Sequence, residues 1–298
     1  MMNAKEIKAR IKSVQDTRKI TNAMYMIAST KMRKARNDLD KTRPYFKALY
    51  EEMEHIFKSV EDIESRYVCT SAGNGDNGKT YGVLVITADK GLAGSYNKNV
   101  IKEAMELISK YKINKLFVVG EYGRRFFMQR DINIEKSFLY TAQNPTMDRA
   151  REIAALLLDM YDKGELDEIY IIYSDMKNSL ATKVIQRRLL PFQRTHFHSI
   201  EDEKVQIFEV FPSVSVVVDS LVKSWLSGFI YSALVESFCS EQSSRMAAMY
   251  SANKNAEKIM ETLTIQYNLV RQANITQEIT EVTASAKAQI RKRKKEVL

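Results

Sequence analysis

Both ends of this 298-residue chain are almost free of the residues that break helices. Residues 1–72 contain no glycine and a single proline, Pro44, and residues 213–298 contain one glycine and no proline. Both segments are rich in Ala, Met, Lys, Glu and Gln, which favour helix. The sequence therefore predicts a long helix at each end, the first of them kinked at Pro44 and resuming after it.

A seam with heptad spacing runs along each predicted helix. In the first helix its positions are Ile7, Ile11, Val14, Arg18, Thr21, Tyr25, Ala28, Met32, Ala35 and Leu39. In the second helix they are Met246, Met249, Asn253, Ala256, Met260, Leu263, Tyr267 and Val270, followed by a shifted stripe of Ile275, Ile279, Val282 and Ala286. A helix of this extent would be about 125 Å long at about 1.5 Å per residue. We expect it to pair with the first helix, with other proteins, or with both.

The middle of the chain has the turn-forming residues of a folded domain, since eight of the ten glycines lie between Gly73 and Gly123. β-rich runs at 80–89, 115–123 and 167–175, with a fourth at 204–211, are separated by helical stretches at 96–112, 123–130 and 147–164. Apolar strands alternating with amphipathic helices indicate a mostly parallel sheet covered on both faces. We predict a Rossmann-like α/β domain at residues 73–211, between helical segments at residues 1–72 and 212–298.

The net charge of +9 is concentrated at the two ends of the chain. Residues 1–43 hold twelve Lys/Arg and four Asp/Glu, a balance of +8, and residues 287–298 have a balance of +5. Such a distribution indicates an acidic partner for the termini. The two cysteines, Cys69 and Cys239, are too far apart in sequence to indicate a disulfide framework, which favours a reducing compartment. We expect neither a secretory signal nor a membrane span.

Three motifs raise the question of ligand binding, and the context of each argues against it. Residues 73–80 match the phosphate-binding P-loop pattern, but the run that follows reads as a strand instead of a helix. Residues 89–97 lie where a dinucleotide fold has its fingerprint, yet the glycine spacing differs, so a tight strand-to-helix turn is the better interpretation. His196 and His198 lack further metal ligands nearby. We predict no catalytic residue, no cofactor and no metal.

The basic termini leave a nucleic-acid binder or a coiled-coil adaptor with an α/β domain as the alternative function. Basic-zipper proteins combine a basic helix with heptads in this way, but they place the two consecutively. Here the seam runs through the basic region itself.

The long helical segments resemble a known family. The N-terminal AKEIKARIKSVQDTRKITNAMYMIASTKMRKAR is similar to the opening helix of the gamma subunit of rotary ATP synthase. The C-terminal SEQSSRMAAMYSANKNAEKIMETLTIQYNLVRQANITQEITEV resembles its final helix, and TADKGLAGSYN resembles a turn in its α/β domain. The resemblance covers nearly the whole chain. It implies an antiparallel coiled coil of the terminal helices beside a Rossmann-like domain that binds no nucleotide.

The resemblance also implies a function and partners. The chain would be the rotating central shaft of a proton-translocating ATP synthase, itself non-catalytic, coupling ion flow through the membrane rotor to conformational change in the beta subunits. Three alpha and three beta subunits would surround the coiled coil, and the epsilon subunit and the c-ring would contact the α/β domain. No nucleic acid and no small-molecule substrate is expected.

The family motifs place subunit contacts at particular residues. Met24 and the basic side chains of Lys31 and Arg33 would face the acidic lever of a beta subunit. The loops of a beta subunit would contact Arg245, Gln272, Thr276 and Glu278. Phe211 departs from the acidic residue familiar before the family's proline, which removes one expected rotor contact. The redox-regulatory insertion and transit peptide of plastid members are not recognisable, so we expect a peripheral protein at the cytoplasmic face of the bacterial cell membrane.

Overall fold

The computed structural model describes residues 3–59, 65–69, 79–111, 113–178, 181–193, 211 and 213–296. Two very long helices, α1 (Ala4–Ser59) and α5 (Val214–Glu296), flank the rest of the chain. The shorter helices between them are α2 (Tyr96–Lys110), α3 (Glu121–Met128) and α4 (Met147–Asp162). The strands are β1 (Val68–Cys69), β2 (Tyr81–Ile86), β3 (Ile113–Val119), β4 (Glu168–Asn178), β5 (Ala181–Leu190) and β6 (Phe192–Gln193).

The predicted α/β elements are confirmed wherever the structure describes them. A four-stranded sheet has the order β3-β2-β4-β5, in which β2 pairs in parallel with β3 and with β4. Strand β5, which the sequence did not predict, pairs antiparallel with β4 and forms an edge. β1 and β6 form a separate parallel pair. The run at 204–211, the histidines His196 and His198, and the stretch 73–78 lie outside the described residues.

The chain divides into two compact units, one made of Met1–Met26 with Ala248–Leu298 and one of Ile27–Ala247. Both long helices take part in both units, because each unit boundary falls inside a helix. The division into segments 1–72, 73–211 and 212–298 follows composition instead, and it stays a prediction.

In the larger unit the sheet is covered on both faces, as the apolar strands predicted. Helix α2 and Phe127 of α3 pack on one face with Val83 and Val85. Helix α4 and parts of α1 and α5 pack on the other face with Leu84 and Ile86. This alternation makes β2 buried along its whole length, which is typical of the central strand of a doubly covered sheet.

Helices α1 and α5 approach each other closely within the larger unit. A Cβ built on Gly228 of α5 would lie 2.1 Å from the ring of Phe46, so only glycine leaves room for that ring. Pro44 lies inside helix α1, which continues beyond it to Ser59. This confirms the prediction that the helix resumes after the proline. N-terminal to Pro44, the seam residues Ala28, Ala35 and Leu39 are buried, as their heptad positions predicted.

In the smaller unit the two helices pair antiparallel along the predicted seam. Arg18 forms an ion pair with Glu257, and the hydroxyl of Thr21, one turn later, donates to the side-chain oxygen of Asn253, one turn earlier. Within the described residues of this unit the buried apolar side chains are Ile7, Met249, Ala256 and Leu263. The polar layer at Arg18 and Thr21 therefore faces matching polar groups, which fixes the register of the two helices.

One stretch within Val214–Ala288 of α5 is long and apolar enough to cross a membrane by length and composition alone. In this structure 44% of that window is buried inside the chain. The core helix of a water-soluble protein passes the same test, so the burial of Val222, Leu226 and Ile230 in the apolar core accounts for the composition.

Candidate subunit-contact surfaces

The predicted contact residues fall into both compact units. Met24 is half-buried on α1 and belongs to the smaller unit, as do Gln272, Thr276 and Glu278, which are exposed on α5. In the larger unit Lys31 and Arg33 are exposed on α1, whereas Arg245 is half-buried on α5. Among these residues the hydroxyl of Thr276 donates to the carbonyl oxygen of Gln272 at 2.9 Å, a bond within one helical turn.

Arg245 is held in place by its own chain. Its Nη1 donates to Glu241 Oε1 at 2.6 Å, and its Nη2 donates to the carbonyl oxygen of Gly91 at 3.2 Å. Only 12% of the Arg245 side chain and 4% of the Glu241 side chain are exposed. Burial raises the pKa of Glu241, and the neighbouring Arg245 charge opposes that rise. The pair therefore fixes α5 to the turn that follows β2.

That turn, residues 89–97, is built around the Asp89 carboxylate. Oδ1 accepts from the backbone N–H of Glu121 at the start of α3 and of Ala142, each at 3.2 Å. Oδ2 accepts from the hydroxyl of Thr141 at 2.5 Å and the backbone N–H of Gln143 at 3.1 Å. The backbone φ of Leu92 and Gly94 is positive, at 61° and 57°, as the predicted tight turn requires.

The position of Asp89 disfavours nucleotide binding at this turn. In open α/β sheets ligands bind at the carboxyl ends of the strands, where helix N-termini present free N–H groups to phosphate. Here the first N–H of α3 is already bonded to a carboxylate of the same chain. A phosphate at this place would be repelled by Asp89 and would have to displace it.

The P-loop-like stretch is also engaged internally where the structure describes it. Lys79 Nζ donates to Glu168 Oε1 at 2.9 Å. The backbone N–H and the hydroxyl of Thr80 donate to Asp167 Oδ2 at 2.7 and 2.8 Å. The strand β2 begins at Tyr81, directly after these residues, which confirms that no helix follows the Lys-Thr pair.

Neither the cysteine chemistry nor the acidic side chains indicate a metal or redox centre in the described part of the chain. Cys239 is a free, buried cysteine whose pKa is raised to about 11, mainly by burial, so its thiol stays protonated and unreactive. Within the described residues no group of three His, Cys, Asp or Glu side chains is placed to hold a metal ion.

The distal part of α5 is exposed on all faces. Residues 271–288 are all exposed, and they include the shifted apolar stripe of Ile275, Ile279 and Val282, exposed at 45%, 59% and 69%. A helix that presents an apolar stripe without cover from the described part of its own chain has the character of a binding surface. The predicted contact residues Gln272, Thr276 and Glu278 lie in this segment.

A family model and the gamma chains of several bacteria match nearly the whole chain. Residues 3–289 match the model of the family described as ATP synthase. The ATP synthase gamma chain of Caldanaerobacter subterraneus subsp. tengcongensis is 45% identical over 295 residues, which cover 96% of this chain and 99% of the relative. The chain belongs to the ATP synthase gamma chain family.

Other gamma chains and solved structures extend this assignment. A gamma chain of Acetobacterium woodii, described as sodium ion specific, is 33% identical, with 96% of this chain and 98% of that one covered. The central stalk of the Tetrahymena thermophila mitochondrial ATP synthase is 26% identical, with a TM-score of 0.55 over 78% of this chain and 99% of that one. A chain of the Euglena gracilis mitochondrial ATP synthase, 15% identical, shares the fold, with a TM-score of 0.66 over 96% and 94% of the two chains.

The family assignment makes this gamma chain part of a membrane-associated ATP synthase complex. Sequence reasoning did not assign the hydrogen bonds and ion pairs that Asp89 and Glu241 form within the chain. Asp89 was visible in the turn motif, and Glu241 stands four residues before Arg245, the spacing of a helical ion pair. The partners of Asp89, Glu121 and Ala142, and the Gly91 carbonyl that accepts from Arg245 could not be read from the sequence, because these bonds join separate elements.

Proposed function

We propose that this gamma chain is the rotating central shaft of the ATP synthase and performs no bond chemistry of its own. The observation that carries the proposal is the continuous 83-residue helix α5, which is paired with α1 in the smaller unit and then exposed with an apolar stripe from residue 271 to 288. A stiff helix with an uncovered apolar end can transmit a turning force and present different side chains to each neighbour.

A shaft acts on its neighbours through differential contacts. Each orientation of an asymmetric axle makes different contacts with the surrounding catalytic subunits, and it stabilises a different conformation in each of them. The catalytic sites belong to the beta subunits in this proposal. The internal engagement of Asp89, Lys79 and Thr80 supports it, because these are the groups of the two motifs that a nucleotide would need.

The proposed partners are those that the resemblance to the gamma-subunit family implies, and the basic N-terminal segment and the exposed end of α5 support them. Three alpha and three beta subunits surround the paired helices, and the acidic lever of a beta subunit faces Met24, Lys31 and Arg33. Loops of a beta subunit contact the exposed Gln272, Thr276 and Glu278 and the remaining exposed surface of Arg245. The epsilon subunit and the c-ring contact the α/β domain. The complex lies at the cytoplasmic face of a bacterial membrane, with this chain as a peripheral subunit.

The test is reconstitution with purified alpha and beta subunits. One copy of the chain per three alpha and three beta subunits, together with stimulated ATP hydrolysis, is the expected result. Dimers of the chain alone, or no association with the hexamer, would contradict the proposal. Tight ATP binding by the isolated chain that is lost in Lys79→Ala would favour a nucleotide-dependent enzyme instead.

The contact with the acidic lever has its own test. Arg33→Glu replaces an exposed cation by an anion and should lower the coupling between hydrolysis and ion pumping in the assembled complex. Arg151→Glu makes the same charge change on α4, where the arginine is also exposed, and should leave coupling unchanged. Equal effects of the two variants would contradict a specific contact at Arg33.

A further inference from the structure

A cavity of about 170 Å³ lies in the larger unit, between helices α1 and α5 and the residues that precede α4. Its apolar lining consists of side chains that are at most 8% exposed: Ala35 of α1 with Tyr231, Val235 and Phe238 of α5. The three α5 residues are spaced by four and three positions, so they lie on one face of that helix. An apolar cavity of about 150 Å³ can hold a benzene molecule, and this cavity therefore has room for a single ring.

The hydroxyl of Tyr231 is a polar group in this largely apolar lining. Only 5% of Tyr231 is exposed, and among the described residues no group forms a hydrogen bond with its hydroxyl. Burial, followed by the nearby Asp38 charge, raises the pKa of Tyr231, so the phenol stays protonated and can donate. Polar groups on buried side chains normally have a hydrogen-bond partner. A ligand with an acceptor atom in the cavity would provide one.

The exposed side of the cavity is basic. Lys31 and Lys34 of α1 line it and are exposed, and neither forms a salt bridge with a residue that the structure describes. The acidic residue of the lining, Asp38, is paired with Lys41 Nζ at 3.4 Å. The charge of Glu241, which Lys31 also influences, belongs to the buried ion pair described above. The charges at this opening therefore favour an anion.

We propose that this cavity binds a small aromatic carboxylate. The ring of the ligand packs on Ala35, Val235 and Phe238, and an aromatic ring adds favourable ring–ring contacts to the burial of apolar surface. The carboxylate accepts a hydrogen bond from the Tyr231 hydroxyl, and the two lysines at the opening balance its charge. A few polar groups that orient a ligand in a mainly apolar cavity are typical of small-molecule sites. The proposal does not depend on the shaft function, since one chain supplies the whole lining.

The probe is benzoate added to the full chain at constant ionic strength. Saturation-transfer NMR of the benzoate protons measures binding directly, and the benzoate dependence of the melting temperature reports the linked stabilisation. Benzamide keeps the ring and removes the charge, whereas acetate keeps the carboxylate and removes the ring. Ala35→Leu fills the cavity, and Tyr231→Phe removes the hydroxyl alone.

A double substitution tests the charges at the opening. Lys31→Gln with Lys34→Gln removes both cations while keeping the length of each side chain. Lys47→Gln with Lys102→Gln is the matched control, because it makes the same charge change at two lysines of the larger unit that are each 75% exposed and do not line the cavity.

We expect saturable benzoate binding and a rise in melting temperature with the unmodified chain and with the control pair. Ala35→Leu should abolish both effects. Tyr231→Phe should weaken binding by about tenfold, since a hydrogen bond to a charged group is lost. The lysine pair at the opening should weaken it by about threefold or more, because exposed charges contribute modestly. Benzamide and acetate should bind more weakly than benzoate.

No saturable binding of benzoate to the unmodified chain overturns the proposal. Equal affinity for benzamide or for acetate overturns it too, because the charge or the ring would then be irrelevant. Benzoate binding that Ala35→Leu leaves unchanged places the ligand elsewhere and also overturns it. If Ala35→Leu does not fold, Tyr231→Phe decides the matter, and unchanged affinity in that variant overturns the proposal.

Discussion

The guanidinium of Arg245 lies 2.6 Å from the carboxylate of Glu241, and both side chains are largely buried on the same helix, α5. Removing one partner of such a pair leaves a charge buried without compensation. Arg245→Ala should therefore lower the free energy of unfolding by about 3–5 kcal/mol, measured by urea denaturation. The double variant Arg245→Ala with Glu241→Gln should recover part of that loss. Arg151→Ala, which breaks an exposed pair, should change stability by less than about 0.5 kcal/mol.

Glu236 makes stability depend on pH. Burial, together with the nearby Asp175 charge, raises its pKa from 4.5 to about 7, and Arg43 opposes the rise. The folded state therefore holds this proton over a pH range in which the unfolded state has released it. The stabilisation is complete below about pH 4.5 and is lost as the pH rises through about 7. The difference is about 3 kcal/mol at most, since one pKa unit corresponds to about 1.4 kcal/mol.

The effect of Glu236 on the free energy of unfolding is measured by urea denaturation at a series of pH values between 5 and 8. This series covers the upper part of the interval in which Glu236 titrates. Glu236→Gln should flatten the decline in stability with rising pH in this interval, because the amide does not titrate. Equal slopes for Glu236→Gln and the unmodified chain would contradict the role of Glu236.

The Asp89 carboxylate accepts from three backbone N–H groups and one hydroxyl. Asp89→Ala leaves these donors without their acceptor and should cost about 2 kcal/mol of stability. Hydrogen exchange at the Glu121 and Gln143 amides should become faster. Asp89→Asn keeps one acceptor oxygen and should have a smaller effect. The control Asp159→Ala removes a carboxylate exposed on α4, and no difference between it and Asp89→Ala would disprove the anchoring role.

Leu263 is buried in the helix pairing of the smaller unit, with 7% of its surface exposed. Leu263→Pro removes a backbone hydrogen bond within α5 and should destabilise the helix by about 3 kcal/mol or more. ATP hydrolysis should then be uncoupled from ion pumping in membrane vesicles that contain the assembled complex. Leu269→Ala, at a position 61% exposed on the same helix, should keep coupling intact. Normal pumping with Leu263→Pro would count against a stiff shaft.

Substituting the apolar stripe of Ile275, Ile279 and Val282 should weaken binding to the other subunits without destabilising the fold. Replacing all three by Ser should leave the melting temperature of the isolated chain nearly unchanged, because the side chains are exposed there. Affinity for the alpha–beta hexamer should fall by tenfold or more, since burying one such side chain contributes about 1.5–3 kcal/mol. Glu281→Ser on the same turns should have little effect on either measurement. Unchanged affinity of the triple variant would place the binding surface elsewhere.

The parts of the fold that follow local rules could be predicted from the sequence. The scarcity of Gly and Pro at both ends predicted α1 and α5, and the heptad steps predicted the burial of Ile7, Ala28 and Leu263. The apolar runs predicted β2 and β4. Strand β5 was missed because its sequence, ATKVIQRRLL, mixes polar and apolar residues as an edge strand does, and lacks the apolar run of a doubly covered strand.

The sequence by itself determined the two long helices, the parallel strands with the helices between them, and the heptad seam, because helix propensity and side-chain period act between near neighbours. Only the tertiary structure decided which polar groups satisfy one another. Asp89 meets Glu121 and Ala142, Arg245 meets Gly91, and Arg188 keeps two donors without an acceptor in the described part of the chain. Such pairings depend on where separate elements come together in space, and burial makes each satisfied or unsatisfied donor count in the free energy of folding.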